Sequence, residues 1–406
     1  MTVAAHRGLS PVRTVLDNGA VVIAKQSQTT PAITVHVAFH AGTVFAPPHL
    51  SGLAHFVSRT IDRGTATRPA ETIPDELDRR GVSLATSVNR HVLSLVCTCL
   101  VDDLEPILQI LADIVMHPVF PENEITTRRA EIVTLIRQDD DNPAVVAMEG
   151  FLAELYGPSH GYGRRPRGTV DSVEVIDRDA LQRFHTARFG PGSLSLVIVG
   201  DIEPVRAVEA ARAAFGEWKA PSPGTVELPV TPPPLARRVR VVPMMNKAQA
   251  DVAYGFTSIR RSDSDYYAFW LMNNILGQYS LGGRLGGSIR ERQGMAYYAF
   301  SSLDANVIPG PLTIRAGVSP ANVERAVASI DDELSRFAAD GPTDAEMAES
   351  KQYLIGSMPR TLETNIGIAA FLQTEEFFGL GADYDVRVPD LLTTVTRDEV
   401  HEAARR

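Results

Sequence analysis

Gly52-Leu53-Ala54-His55-Phe56-Val57-Ser58-Arg59-Thr60 follows Pro47 and Pro48, reads as the opening of an apolar helix, and carries one histidine. Residues at i and i+4 share a helix face, so two histidines at that spacing can hold one zinc ion, with a glutamate between them as general base. Here the residue four beyond His55 is Arg59 and the residue three beyond it is Ser58. A hydroxyl takes no proton from water near neutral pH, and a guanidinium stays charged and repels a cation. The stretch therefore keeps one donor of such a site and lacks its base and second ligand.

A chain of 406 residues is long for one hydrophobic core, which favours two domains. Its 44% hydrophobic and 22% charged residues are ordinary for a globular protein. The net charge of −10 leaves no basic excess for nucleic acid, and no run approaches the roughly 20 apolar residues of a membrane span. The first residues, MTVAAHRGLSPV, have no apolar core of signal-peptide length, so the expected location is the cytoplasm and no membrane partner is expected. The two cysteines, Cys97 and Cys99, share one face of an alternating run and read as buried reduced thiols.

Around the opening stretch the pattern predicts an α+β chain. Asp17-Asn18-Gly19 between apolar runs predicts a hairpin, and 32–40 alternates as a strand bearing His36 and His40. Helices are expected at 69–80, 104–116, 121–137, 147–155, 177–189 and 204–215, with one long strand from Gly81 to Leu100 and another at 193–199. The stiff segment Ala220-Pro-Ser-Pro-Gly and Pro232-Pro233-Pro234 marks a boundary between domains at 1–220 and 235–406. Beyond it the grammar repeats, with strands at 238–242, 250–256, 297–303 and 311–316, and helices at 265–276, 323–338, 345–357 and 397–404. Strands, then a helix pair joined through proline, occur in both halves, which points to internal duplication. The glycine-rich run 276–288 lacks the Gly-Lys-Ser/Thr ending of a phosphate loop and reads as a flexible connection.

Asp17-Asn18-Gly19, Ala41-Gly42-Thr43, Gly52 to Phe56, Leu111-Ala112-Asp113-Ile114, Gly200-Asp201 and Ile289-Arg-Glu-Arg-Gln-Gly-Met-Ala-Tyr297 stand in the order of the landmarks of the pitrilysin/insulinase family, and the chain resembles its two-domain bacterial type. The resemblance implies two homologous domains, each a mixed or antiparallel sheet flanked by helices, together half of a clamshell. It also implies that Ser58 and Arg59 replace the base and second histidine of a His-x-x-Glu-His motif. The third ligand, counted back from the acidic segment 139–143, falls on Leu135, and Glu131, one turn earlier, is a poor substitute beside Arg59. This chain is then expected to bind no cofactor.

The same resemblance implies that Arg290 and Tyr297 complete the zinc site of a partner subunit, the phenol donating to an oxyanion and the guanidinium holding substrate carbonyls. Arg292 and Tyr298 are close enough to be confused with them. The function implied is that of an accessory subunit, inactive alone, of a heterodimeric zinc endopeptidase. Its partners would be a homologue with an intact His-x-x-Glu-His motif, which holds the zinc, and a peptide added to an edge such as 84–87. The alternative is an inert structural or peptide-binding homologue. The family usually adds a final strand beyond the helix at 397–404.

Overall fold

The computed structural model describes residues 8–221, 223–224, 226–232, 234, 236–278 and 283–406. Pro233 of the proline run, residues 279–282 of the glycine-rich run and the first seven residues lie outside the described residues. The first half runs through strands β1 (Val12–Val15), β2 (Val21–Gln26) and β3 (Ala32–Phe39), then helices α1 (Leu53–Thr60) and α2 (Thr72–Asp78). Strands β4 (Ala85–Val88) and β5 (Leu93–Leu100) precede helices α3 (Leu104–Met116), α4 (Glu122–Asp140), α5 (Pro143–Tyr156), α6 (Val170–Glu174) and α7 (Arg178–Arg188). Strand β6 (Leu194–Gly200) and helix α8 (Pro204–Phe215) close that half. The second half has strand β7 (Ala250–Thr257), helix α9 (Tyr266–Asn273), strands β8 (Ala296–Leu303) and β9 (Pro311–Val318), and helices α10 (Val323–Asp340), α11 (Asp344–Thr361), α12 (Asn365–Phe378), α13 (Tyr384–Thr394) and α14 (Arg397–Arg405).

The chain forms two compact units, and they are not simply its two halves. One comprises residues 1–137, 159–227 and 359–385; the other comprises 138–158, 228–358 and 386–406. The first unit is built on a mixed sheet of order β1-β2-β6-β3-β5-β4, in which β6 lies parallel to β2 and antiparallel to β3. Successive residues of a strand face opposite sides, so Leu196 and Ile198 enter the main core while Val197 and Val199 meet Ile368, Ala369 and Leu372 of α12. With both faces covered, β6 is continuously apolar from Leu196 to Val199. Arg13 fixes α12 further by a bidentate pair with Glu376 at 2.7 and 2.8 Å.

In the second unit β9 lies between β7 and β8, all antiparallel, which repeats the pairing of β3, β5 and β4. Helix α5 packs on β7, its Tyr156 hydroxyl donating to the Pro309 carbonyl at 3.0 Å. Thus the helix that follows each helix pair, α5 after α3–α4 and α12 after α10–α11, belongs to the unit built mainly from the other half.

Two expectations are corrected. The run from Gly81 to Leu100 is not one strand but two, reversed where Asn89 Oδ1 accepts the amides of His91 and Val92 at 2.8 Å each. Residues 238–242 form no strand: Val239 and Val241 are exposed, and Arg238 and Arg240 reach Glu154. Helix α4 runs through Arg137 as expected and ends at Asp140 inside the acidic segment, where Asn142 caps the start of α5 by accepting from the Ala144 amide. Among the described residues, no helix is long and apolar enough to cross a membrane.

Candidate functional site

Helix α1 begins from Gly52, whose φ of +94° is left-handed and whose absent Cβ would lie 2.4 Å from the Arg167 carbonyl oxygen. Leu53, Ala54, Phe56 and Val57 are buried and seat the helix on the core, leaving His55 and Arg59 on one half-buried stripe. Ser58 is only 4% exposed, and its hydroxyl donates to the His55 carbonyl at 2.7 Å. The Arg59 guanidinium lies 3.4 Å from Glu131 on α4. Both oxygens of Glu131 also accept from Arg128, at 2.6 and 2.8 Å.

This set does not fit zinc. Ser58 is turned to its own helix backbone, Arg59 is a cation, Leu135 has no donor atom, and Glu131 is held by two guanidinium groups. Among the described residues, no three His, Cys, Asp or Glu side chains are grouped so as to hold a metal ion. An arginine–glutamate pair instead links α1 to α4. Arg128 escaped sequence reading, although its i, i+3 spacing to Glu131 was available as a signal.

Arg290 and Tyr297 belong to the second unit. Arg290 sits in a π-helical turn, Gly286–Arg292, anchored at its front by Arg284. That guanidinium pairs with Glu346 at 2.7 and 2.8 Å, donates to the Gly341 carbonyl at 2.8 Å and stacks over Phe337. Leu285 and Ile289 are fully buried and hold the turn to the core. At its rear, Arg292 pairs with Glu333 at 3.2 Å, and Gln293 donates to Ser329 at 3.0 Å. Gly294 then takes a left-handed φ of +61° to turn the chain into β8.

Tyr297 is the extra residue of a β-bulge, because Ala296 pairs with Val318 and Tyr298 with the adjacent Gly317. A bulge re-aims a side chain, and Tyr297 is 82% exposed. Its neighbour is committed instead: Tyr298 donates to the Asp251 carboxylate and lies beside the Arg315 guanidinium. Burial, then the bond to Asp251, pushes the Tyr298 phenol up to about 12. Among the described residues, the Arg290 and Tyr297 side chains make no hydrogen bond, ion pair or ring contact, whereas those of Arg292 and Tyr298 are both engaged.

Two family descriptions match this chain: "Insulinase (Peptidase family M16)" over residues 21–158 and "Peptidase M16 inactive domain" over residues 176–354. The chain belongs to the insulinase, or M16, peptidase family. Its substituted metal positions make it a zinc-site-deficient member. A relative from Streptomyces coelicolor, described as an uncharacterized zinc protease, is 26% identical over 98% of this chain and 88% of its own length. Among solved structures, a peptidase M16 inactive domain from Pseudomonas fluorescens superimposes with a TM-score of 0.88 at 23% identity, covering 97% of this chain and 94% of that one. A protease from Helicobacter pylori also superimposes at 0.88, with 20% identity over 97% of this chain and 95% of its own. These two likenesses concern the fold.

Proposed function

We propose that this M16 chain is the accessory half of a two-chain zinc endopeptidase, lending Arg290 and Tyr297 to a zinc site held by a homologous partner with an intact His-x-x-Glu-His helix. The observation that carries the reading is the contrast within one short stretch. Arg292 and Tyr298 are used up inside the unit, while Arg290 and Tyr297 keep their donors uncommitted among the described residues. A phenol free of internal partners can donate to the oxyanion that forms on an attacked peptide carbonyl, and a planar guanidinium can hold neighbouring carbonyls of an extended substrate. The positions of Ser58, Arg59 and Glu131, each occupied by an internal contact, fit a chain that leaves water activation to its mate.

The substrate class is an unfolded peptide. Strand β4 forms one edge of the first sheet, where an extended segment can add by backbone hydrogen bonds. The reading assigns the pair to the cytoplasm, with which the two buried, unpaired thiols Cys97 and Cys99 are compatible.

The test is reconstitution. This chain and a homologue with the intact motif are assayed separately and mixed, using an internally quenched peptide with and without a chelator. Cleavage only by the mixture, abolished by chelation and lowered by Tyr297→Phe, is the expected result. Equal cleavage by the homologue alone, or chelator-sensitive cleavage by this chain alone, overturns the proposal.

A further inference from the structure

The turn that carries Arg290 is held from behind by one face of α10. Arg325, Ser329 and Glu333 follow one another at i, i+4 and i+8, so they line a single stripe. Each binds the end of the turn: Arg325 donates to the Gln293 side-chain oxygen at 3.1 Å, Gln293 donates to Ser329 at 3.0 Å, and Glu333 accepts from Arg292 at 3.2 Å. Glu333 is the exceptional member, since the residue is only 4% exposed and its carboxylate is also bound by Arg336 at 2.5 Å. A buried carboxylate is costly unless it is paired, and Glu333 has two cationic partners, Arg336 from its own helix and Arg292 from the turn. Arg292 is two residues from Arg290 on the same tight turn, and that turn has its other end pinned by Arg284 to Glu346.

We infer that Glu333, acting through Arg292, is a positioning residue that sets where the Arg290 guanidinium points. This rests on the proposed role of Arg290 and adds to it a residue outside the 289–297 stretch, on a different helix. A misplacement of about 1 Å in a positioning group can cost on the order of a hundredfold in rate. Loosening one of the two clamps, with the Arg284 anchor intact, is expected to cost about tenfold.

The experiment is a double-mutant cycle in the reconstituted pair, with kcat and KM measured on the quenched peptide. Glu333→Gln and, separately, Arg292→Gln are each made alone and combined with Arg290→Ala. Arg292→Gln alters a largely exposed side chain and leaves Arg336 paired with Glu333, so the fold is kept. The expected result is a fall of about tenfold in kcat, with KM little changed, for either single variant, and no further loss when either is added to Arg290→Ala. Arg336→Gln, which leaves the Arg292–Glu333 contact in place, is expected to retain most turnover. An equal fall whether Arg290 is kept or replaced by alanine, or no fall from Arg292→Gln, overturns the inference while leaving the role of Arg290 intact. If Arg290→Ala itself turns over as the unaltered pair does, the underlying functional reading fails and this inference with it.

Discussion

Replacing each of two adjacent tyrosines by phenylalanine separates the part of β8 that serves stability from the part proposed to serve chemistry. The Tyr298 hydroxyl donates to Asp251, a charged acceptor also reached by Gln249 at 3.2 and 3.3 Å. A hydrogen bond to a charged group contributes about 1.5–3 kcal/mol, and with a half-buried phenol and a second donor present the lower part of that range applies, about 1.5–2 kcal/mol. At about 2–4 °C per kcal/mol for a unit of this size, Tyr298→Phe lowers the unfolding midpoint by roughly 3–8 °C. Tyr297 is 82% exposed, so Tyr297→Phe changes stability by less than about 0.5 kcal/mol. In the reconstituted peptidase the order reverses: losing an oxyanion donor costs on the order of 10²–10³ in kcat, while Tyr298→Phe, measured well below its midpoint, keeps most turnover. Thermal scans and steady-state kinetics on the two variants decide it. Collapse of turnover in Tyr298→Phe together with full turnover in Tyr297→Phe refutes the assignment.

Three further outcomes follow from groups in the first unit. Burial lowers the His36 imidazole from 6.5 to about 4, and its Nε2 is buried without a partner among the described residues. A depressed histidine contributes stability that is complete above pH 6.5 and is lost as pH falls towards about 4, a difference of roughly 3 kcal/mol. Urea unfolding at a series of pH values should show that slope, flattened in His36→Leu. Burial raises both Cys97 and Cys99 to about 12, so a thiol reagent at pH 8 should label neither in the native chain and both after denaturation. Asp113 accepts from Thr65, Thr67 and Arg68 at 2.6, 2.7 and 2.6 Å. Burial opposes its ionisation, but these donors together hold its carboxyl below the ordinary value. Its contribution is therefore present at neutral pH and lost in acid, and Asp113→Ala should cost about 1–3 kcal/mol in chemical denaturation, since Arg68 keeps its pair with Glu76.

Local chemistry makes much of the fold legible in the sequence. Leu104–Met116 and Pro204–Phe215 have the expected bounds because apolar periodicity runs through each and proline marks one boundary, Pro118 after the first and Pro204 at the start of the second. The turn at Asn89 was hidden because alternation continues through it, and the reversal depends on one side-chain oxygen holding two amides. Residues 238–242 failed for the opposite reason: alternating arginine and valine satisfies a strand pattern, but a strand also needs a neighbour, which no local pattern supplies. Helix α12 went unread although Thr364 caps it and Gly379 ends it in a left-handed conformation.

The candidate site was legible as residue types, since His55, Ser58, Arg59, Arg290 and Tyr297 announce their chemistry in sequence. What separates Arg290 from Arg292, and Tyr297 from Tyr298, was not. That distinction comes from a π-helical turn, a bulge, and acids at Asp251 and Glu333 far away along the chain.

The exchange of α5 and α12 gives the duplicated chain an asymmetry of survival. A fragment cut in the proline segment keeps its own sheet but surrenders the helix that shields one side of it, leaving Ile23, Val197 and Val199 bare in one piece and the α5-covered side of β7 bare in the other. Each piece would therefore be sticky alone and rescued by the other. A gene that duplicated and fused into this form could no longer shed either copy, since each half is finished by its sibling.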